Sequence, residues 1–227
     1  MAVRSRSAPG GGRILEIPAN RIMKWVYGFD RRHSITSTTL SREYWGLTGD
    51  DGANAHIKWA LTDSVPTEWQ VDSFDWEETA GLLAEHAIQH RVVAVLLARR
   101  RAFSVGIFDG HRLISSKTNT SYVQGKTKAG GWSQKRYARR RAGQARHAAS
   151  KAADATLAVV GERLGSVSSV VTGGDRPTVE AILAEPELAA IAAKRSILHL
   201  TDIGEPKKSV LNSCADRING FTVYIDE

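Results

Sequence analysis

Beyond residue 90 the chain alternates between two periodicities, and this alternation constrains its fold more than any other feature. The run VVAVLLA (92–98) reads as a buried strand. AFSVGIFDG and HRLISSKT read as two more strands, joined at Asp109-Gly110, a dipeptide suited to a tight hairpin. A long helix is expected over Ser133–Leu164, with Ala138, Ala142, Ala145, Ala149, Ala152, Leu157, Val160 and Leu164 inward and Gly165 as its stop. SSVVTGGD reads as a buried strand ending in a glycine turn. PTVEAILAE and PELAAIAAK read as helices, each opened by proline. SILHLTDI is a strand, KKSVLNSCADRI a helix and FTVYIDE a closing strand. Strands alternating with helices imply an α/β layer architecture.

The upstream region is different. Residues 1–12 read as a disordered lead-in, and 13–74 as a small α+β region. In it ILEI is a short strand and PANRIMKWVYGFDRR a helix. SITSTTL and AHIKWALT alternate like half-buried strands, with a GDDG turn at 49–52 between them. Trp25, Trp45, Trp59 and Trp69 fall here, as expected of a small core filled by aromatics. A second block, 75–227, opens with the amphipathic helix DWEETAGLLAEHAIQH, whose first turn is acidic. No internal repeat is visible.

With 227 residues the chain can bury a real core. No apolar run approaches the roughly 18 residues that span a bilayer, and the basic N-terminus lacks the apolar stretch of a signal peptide. No membrane partner is expected. The lone Cys214 excludes an internal disulfide and a cysteine zinc site; it fits a reducing cytoplasm and a role as a small buried filler.

Charge is concentrated. Between Asp109 and Asp154 there is no acid, while Arg112, Lys117, Lys126, Lys128, Lys135, Arg136, Arg139, Arg140, Arg141, Arg146 and Lys151 contribute +11. The whole chain carries +7, so the difference leaves −4 for the remainder. An acidic body with one basic segment is the footprint of a nucleic-acid contact. A merely solvated helix face mixes signs to gain i,i+4 pairs, and this one does not.

The centre of that segment reads KTKAGGWSQKRYARRR (126–141). It is neither a GxxxxGK[ST] phosphate loop nor a GxGxxG loop. Gly130 and Gly131 permit positive φ and close approach of backbone to a ligand. Lys126 and Lys128 before them, and Lys135, Arg136, Arg139, Arg140 and Arg141 after, can hold phosphates on both sides. Trp132 can stack on a base. Gln134 is a poor general base, but it can position a water beside a backbone N–H that stabilises an oxyanion. That suits an already activated bond, such as the ester joining a peptide to tRNA. The plainer alternative is a linker into the helix, with Ser133 as cap and Gln134 merely exposed.

Tyr122, the Lys126-x-Lys128-x-Gly130-Gly131-Trp132-Ser133-Gln134 stretch and the basic, alanine-rich helix after it resemble the catalytic loop of the VMS-like release factor (VLRF) family. These are relatives of the middle domain of the eukaryotic class-1 peptide release factor. AFSVGIFDGHRLISSKT, VVTGGDRPTVEAIL and SILHLTDIG resemble other parts of that domain, and the likeness runs over about 75–227. The resemblance implies a ribonuclease-H-like α/β domain, a mixed sheet with flanking helices. It implies a cofactor-free peptidyl-tRNA hydrolase that acts as a monomer on stalled or dissociated large ribosomal subunits, contacting rRNA. By position, Gln134 matches the catalytic glutamine, Gly130 and Gly131 the family glycines, and Lys126 and Lys128 the basic pair. Ordinary release factors place the glutamine directly after the glycines; here Trp132 and Ser133 intervene. Cleavage of the tRNA near its 3′ end, and RNA binding without catalysis, are the other readings. No stop-codon-reading module is evident, which favours stalled complexes.

Other constellations are weaker. His86 and His90 have the i,i+4 spacing of a metal pair, but no third ligand is evident. Asp109 and Asp175 lie at strand ends and could hold metal; they read better as a turn residue and a helix N-cap, and Asp202 as a strand-end cap. Nothing resembles a Ser/His/Asp triad.

Overall fold

The structure is a computed structural model that describes residues 4–8, 11–41, 44–61, 75–99, 102–120 and 132–226; the side chains of 4, 120, 132–138, 141 and 142 lie outside that description. The chain divides into two compact units, 1–90 with 214–227, and 91–213.

The first unit is built on a sheet of antiparallel strands: β1 (Arg4–Ser7), β2 (Arg13–Ile17), β3 (Ile35–Leu40), β4 (Trp45–Gly49), β5 (Asn54–Trp59) and β11 (Phe221–Asp226), in the order β1-β2-β11-β5-β4-β3. Helices α1 (Ile22–His33) and α2 (Trp76–Ile88) cover one face. The period of two decides which residues go in: Ala55, Ile57 and Trp59 of β5, and Phe221, Val223 and Ile225 of β11, join Ile22, Val26 and Phe29 of α1 and Leu83 of α2 in one core. Trp45 is fully buried there, Trp59 is buried and Trp25 packs at the margin, as the aromatic-core reading expects; Trp69 lies outside the described residues. Asp75 caps α2 by accepting from the amides of Glu77 and Glu78 at 3.0 Å each.

The second unit carries β6 (Val92–Arg99), β7 (Ala102–Asp109), β8 (Arg112–Thr120), β9 (Ser169–Gly174) and β10 (Arg195–Leu200), in the order β10-β9-β6-β7-β8. β10, β9 and β6 run parallel, and β7 is antiparallel to both its neighbours. A five-stranded sheet with β7, its second strand in chain order, reversed, and with flanking helices, is the mixed α/β arrangement expected from the sequence. One face is covered by α3 (Trp132–Val160) and α4 (Arg176–Leu183), through Ala94, Leu96 and Ala98 of β6 and Phe103, Val105 and Ile107 of β7. On the other face α6 (Lys208–Asn212) comes so close that a Cβ on Gly106 would stand 2.8 Å from Leu211 Cδ2 and 2.7 Å from Leu113 Cδ1. An added Cβ would have to push both leucine methyls aside and would stand 3.0 Å from the Ser115 carbonyl oxygen, so the position favours glycine.

Several expectations are corrected. The lead-in 1–12 contains β1, held to β2 by main-chain pairing. Trp45–Gly49 forms a strand between the two strands expected there, because its buried residues pair with both β3 and β5. The boundary expected at 75 is not where the compact units divide: α2 packs into the first core, and β11 lies between β2 and β5. PELAAIAAK is a 3-10 turn (Pro186–Leu188) followed by the short α5 (Ala189–Ala192). KKSVLNSCADRI breaks into α6 and α7 (Ala215–Ile218), with the buried Cys214 between them, where the chain returns to the first unit.

Candidate nucleic-acid interface

Helix α3 carries most of the residues that the sequence singles out. It has 29 residues, about 43 Å at 1.5 Å per residue. Its two halves differ. From Ala149 onward it is anchored in the core by Ala149, Ala152, Ala153, Ala155 and Val160. Thr156 is also buried, its hydroxyl satisfied by the Ala152 carbonyl at 2.7 Å. From Arg139 to Ala148 every described side chain is exposed or half-buried, Arg139, Arg140, Arg146 and His147 among the exposed. The expected inward face is therefore right at Ala149, Ala152 and Val160, and Leu164 packs at the margin of the core. It is wrong at Ala145 and Leu157, which are exposed. Ala138 and Ala142 lie among the side chains not described.

Among the described residues, no carboxylate pairs with Arg139, Arg140, Arg146 or Lys151. The first turn of α3 has no acid, so the positive end of the helix dipole adds to the cationic charge. A long helix anchored from Ala149 onward, with exposed arginines at 139, 140 and 146 that no described carboxylate neutralises, can hold a polyanion along its flank.

Trp132, Gln134, Lys135 and Arg136 lie in the first two turns of α3; their side chains, with that of Arg141, are outside the described set. Lys126, Lys128, Gly130 and Gly131 lie outside the described residues altogether. Gln134 is fifteen residues before Ala149, about 22 Å along the helix axis from the first anchored alanine.

The other sequence candidates resolve into structural roles. Asp109 ends β7 and Gly110 turns the hairpin at φ +57°. Asp175 caps α4, accepting from the Thr178 amide at 3.2 Å and from its hydroxyl. Asp202 follows β10 in a left-handed conformation, φ +55°, and accepts from the Thr201 hydroxyl at 3.3 Å. His86 is buried on α2, whereas His90 lies beyond its end and is exposed. Among the described residues no group of three His, Cys, Asp or Glu could hold a metal ion, and no helix is long and apolar enough to cross a membrane.

Sequence reasoning missed His199, at the end of β10. Its Nδ1 lies 2.9 Å from Thr172 Oγ1, and its Nε2 donates to the Gly174 carbonyl at 3.1 Å. Burial holds its imidazole below the ordinary histidine value; the bond to Gly174 opposes that shift, and Arg176 and Arg195 add to it. Arg195 is itself clamped by Glu180 through two bonds of 2.9 and 2.7 Å.

The Actinobacteria/chloroflexi VLRF1 release factor model matches residues 91–223, more than half of the chain. The chain belongs to this family of release-factor-like proteins. Peptide chain release factor subunit 1 of Methanopyrus kandleri is 29% identical over 135 residues, covering 60% of this chain and 32% of that protein. The chain thus matches about a third of the length of this curated relative. Among solved structures, the Vms1 mitochondrial localization core is similar at a TM-score of 0.43 and 7% identity, covering 92% of this chain and 81% of that one. The archaeal termination factor aRF1 is similar at 0.40 and 10%, covering 87% and 61%. Likenesses at these scores fix neither activity nor substrate.

Proposed function

We propose that this protein is a release-factor-type peptidyl-tRNA hydrolase that frees nascent chains from stalled or dissociated large ribosomal subunits in the cytoplasm. The observation that carries the proposal is the family match over 91–223, which takes in the Gly130-Gly131-Trp132-Ser133-Gln134 segment and all of α3. The exposed Arg139, Arg140 and Arg146 support it by supplying charge for a tRNA or rRNA backbone.

In this reading Lys126, Lys128, Lys135, Arg136 and Arg139–Arg141 hold phosphates around the tRNA 3′ end, and Trp132 stacks on a terminal base. The Gln134 amide fixes a water against the ester carbonyl. The peptidyl ester is already activated, so a group that positions water without taking a proton is sufficient, and donors aimed at the developing oxyanion supply much of the rate. Water attacks the carbonyl carbon, and the bond between that carbon and the ribose 3′ oxygen breaks. One proton of the water passes to that oxygen while the other is lost to solvent, so the peptide leaves as a carboxylate and the tRNA with its 3′ hydroxyl restored.

Large subunits carrying a labelled peptidyl-tRNA test this directly. The protein should convert the label to free peptide in repeated turnovers. Subunits that bind the protein and retain all their peptidyl-tRNA contradict it.

A further inference from the structure

The face of the first sheet that turns away from α1 and α2 carries residues that the release chemistry does not use. Register places Tyr224 of β11 opposite His56 of β5 on one side and Ile14 of β2 on the other, with Arg6 of β1 opposite Ile14. Directly opposed residues on antiparallel strands share a face. Val223 and Ile225 point into the core, so this row points away from it. On β4, Gly46 stands opposite His56. The Tyr44 ring lies over that glycine, its Cε2 3.5 Å from where a Cβ would be, and packs on His56 at 5.0 Å between centroids, 37° between planes. Lys58, two residues from His56 and so on the same face, holds its ammonium 5.7 Å from the centre of the Tyr224 ring.

The exposed cations of this face are Arg6, at its β1 edge, and Lys58 on β5. Glu16 of β2, the carboxylate beside these rows, is paired with Arg217 at 2.8 Å; Asp226 stands at the strand end. Arg6, His56 and Lys58 are exposed, and Tyr224 is 39% exposed. Ile14 is closed over at 4% exposure, so the accessible part of the row runs from Tyr224 to His56. Aromatic rings at such an exposed sheet face, with a cation at their edge, are a stacking platform for unpaired bases. An acidic peptide would use the cations and leave the rings idle.

We propose that this sheet face binds a single-stranded nucleic acid, with Tyr224 and the Tyr44–His56 pair stacking on bases and Lys58 and Arg6 contacting phosphates. Stacking reads no base edge, so the site tolerates sequence. It lies on the first unit and stands or falls separately from the release activity proposed for the second.

The test uses the full chain with Arg139→Glu and Arg140→Glu, which removes charge from α3, and fluorescence anisotropy with a labelled uridine dodecamer. Adding Tyr44→Ala and Tyr224→Ala should weaken binding at least about thirtyfold, the loss expected from two stacked bases. Binding to a blunt RNA duplex should not change. Lys58→Gln should make the salt dependence shallower by about one phosphate contact. Unchanged affinity in the double tyrosine variant, with an unchanged melting temperature, overturns the proposal. So does an equal loss for duplex RNA, or a glutamate dodecamer that binds as tightly as the RNA and displaces it. If the tyrosine variant does not fold, Lys58→Glu decides: affinity for the dodecamer must fall, and no change refutes the site.

Discussion

Asp175 closes the first turn of α4 where Gly174, at φ +94°, turns the chain out of β9. Its carboxylate satisfies the Thr178 amide, which would otherwise lack a partner. Asp175→Ala should cost about 1 kcal/mol, read as a lower urea midpoint at unchanged slope. Gly106 is constrained more tightly by Leu113 and Leu211; Gly106→Ala should cost about 1–3 kcal/mol by overpacking, measured in the same titration. His199 gives a pH dependence. Its folded pKa lies below the ordinary 6.5, so as pH falls the unfolded chain takes up the proton first. Its contribution is complete above about 6.5 and declines as pH drops below that toward the folded value. His199→Gln should flatten the loss of stability between pH 7 and pH 5. The cap at Asp175 was legible because aspartate two residues before a proline has one common use at a helix start. His199 was not, because its partners, Thr172 and Gly174, meet it only when β9 and β10 lie side by side.

Helix α3 shows what periodicity can and cannot supply. Alanines at helical spacing identify an inward stripe, and Ala149 and Ala152 lie on it. The spacing continues unchanged toward the N-terminus, yet Ala145 is exposed, because a helix has an inward side only where it has a partner. At the other end Thr156 takes the buried position, with its hydroxyl bonded back to Ala152, and Leu157 is 41% exposed. Apolar character alone selects the wrong one of these neighbours. The basic charge of the exposed half was legible because no acid falls within it. If that half holds RNA, Arg139→Glu with Arg140→Glu should weaken binding to tRNA and make log K against log salt shallower by about 1.5 units. An unchanged slope would place the RNA elsewhere.

Across the whole molecule, the order of elements was more legible than their allegiance. FTVYIDE reads as a closing strand, and it is one. Its alternating burial belongs to a sheet with one solvated face, unlike the continuous burial of β6. It joins the first unit, between β2 and β5. Truncation after Asn219 should therefore unfold the first unit by exposing two strand edges, seen as lost strand signal and aggregation. The central claim concerns Gln134, and large subunits carrying labelled peptidyl-tRNA test it best, with products resolved on a gel that also reports the tRNA 3′ end. The account predicts free peptide and intact tRNA from the natural protein. With Gln134→Ala it predicts at least about a hundredfold slower release with subunit binding retained. Peptide still attached to a short 3′ fragment, or release undiminished by Gln134→Ala, would contradict it.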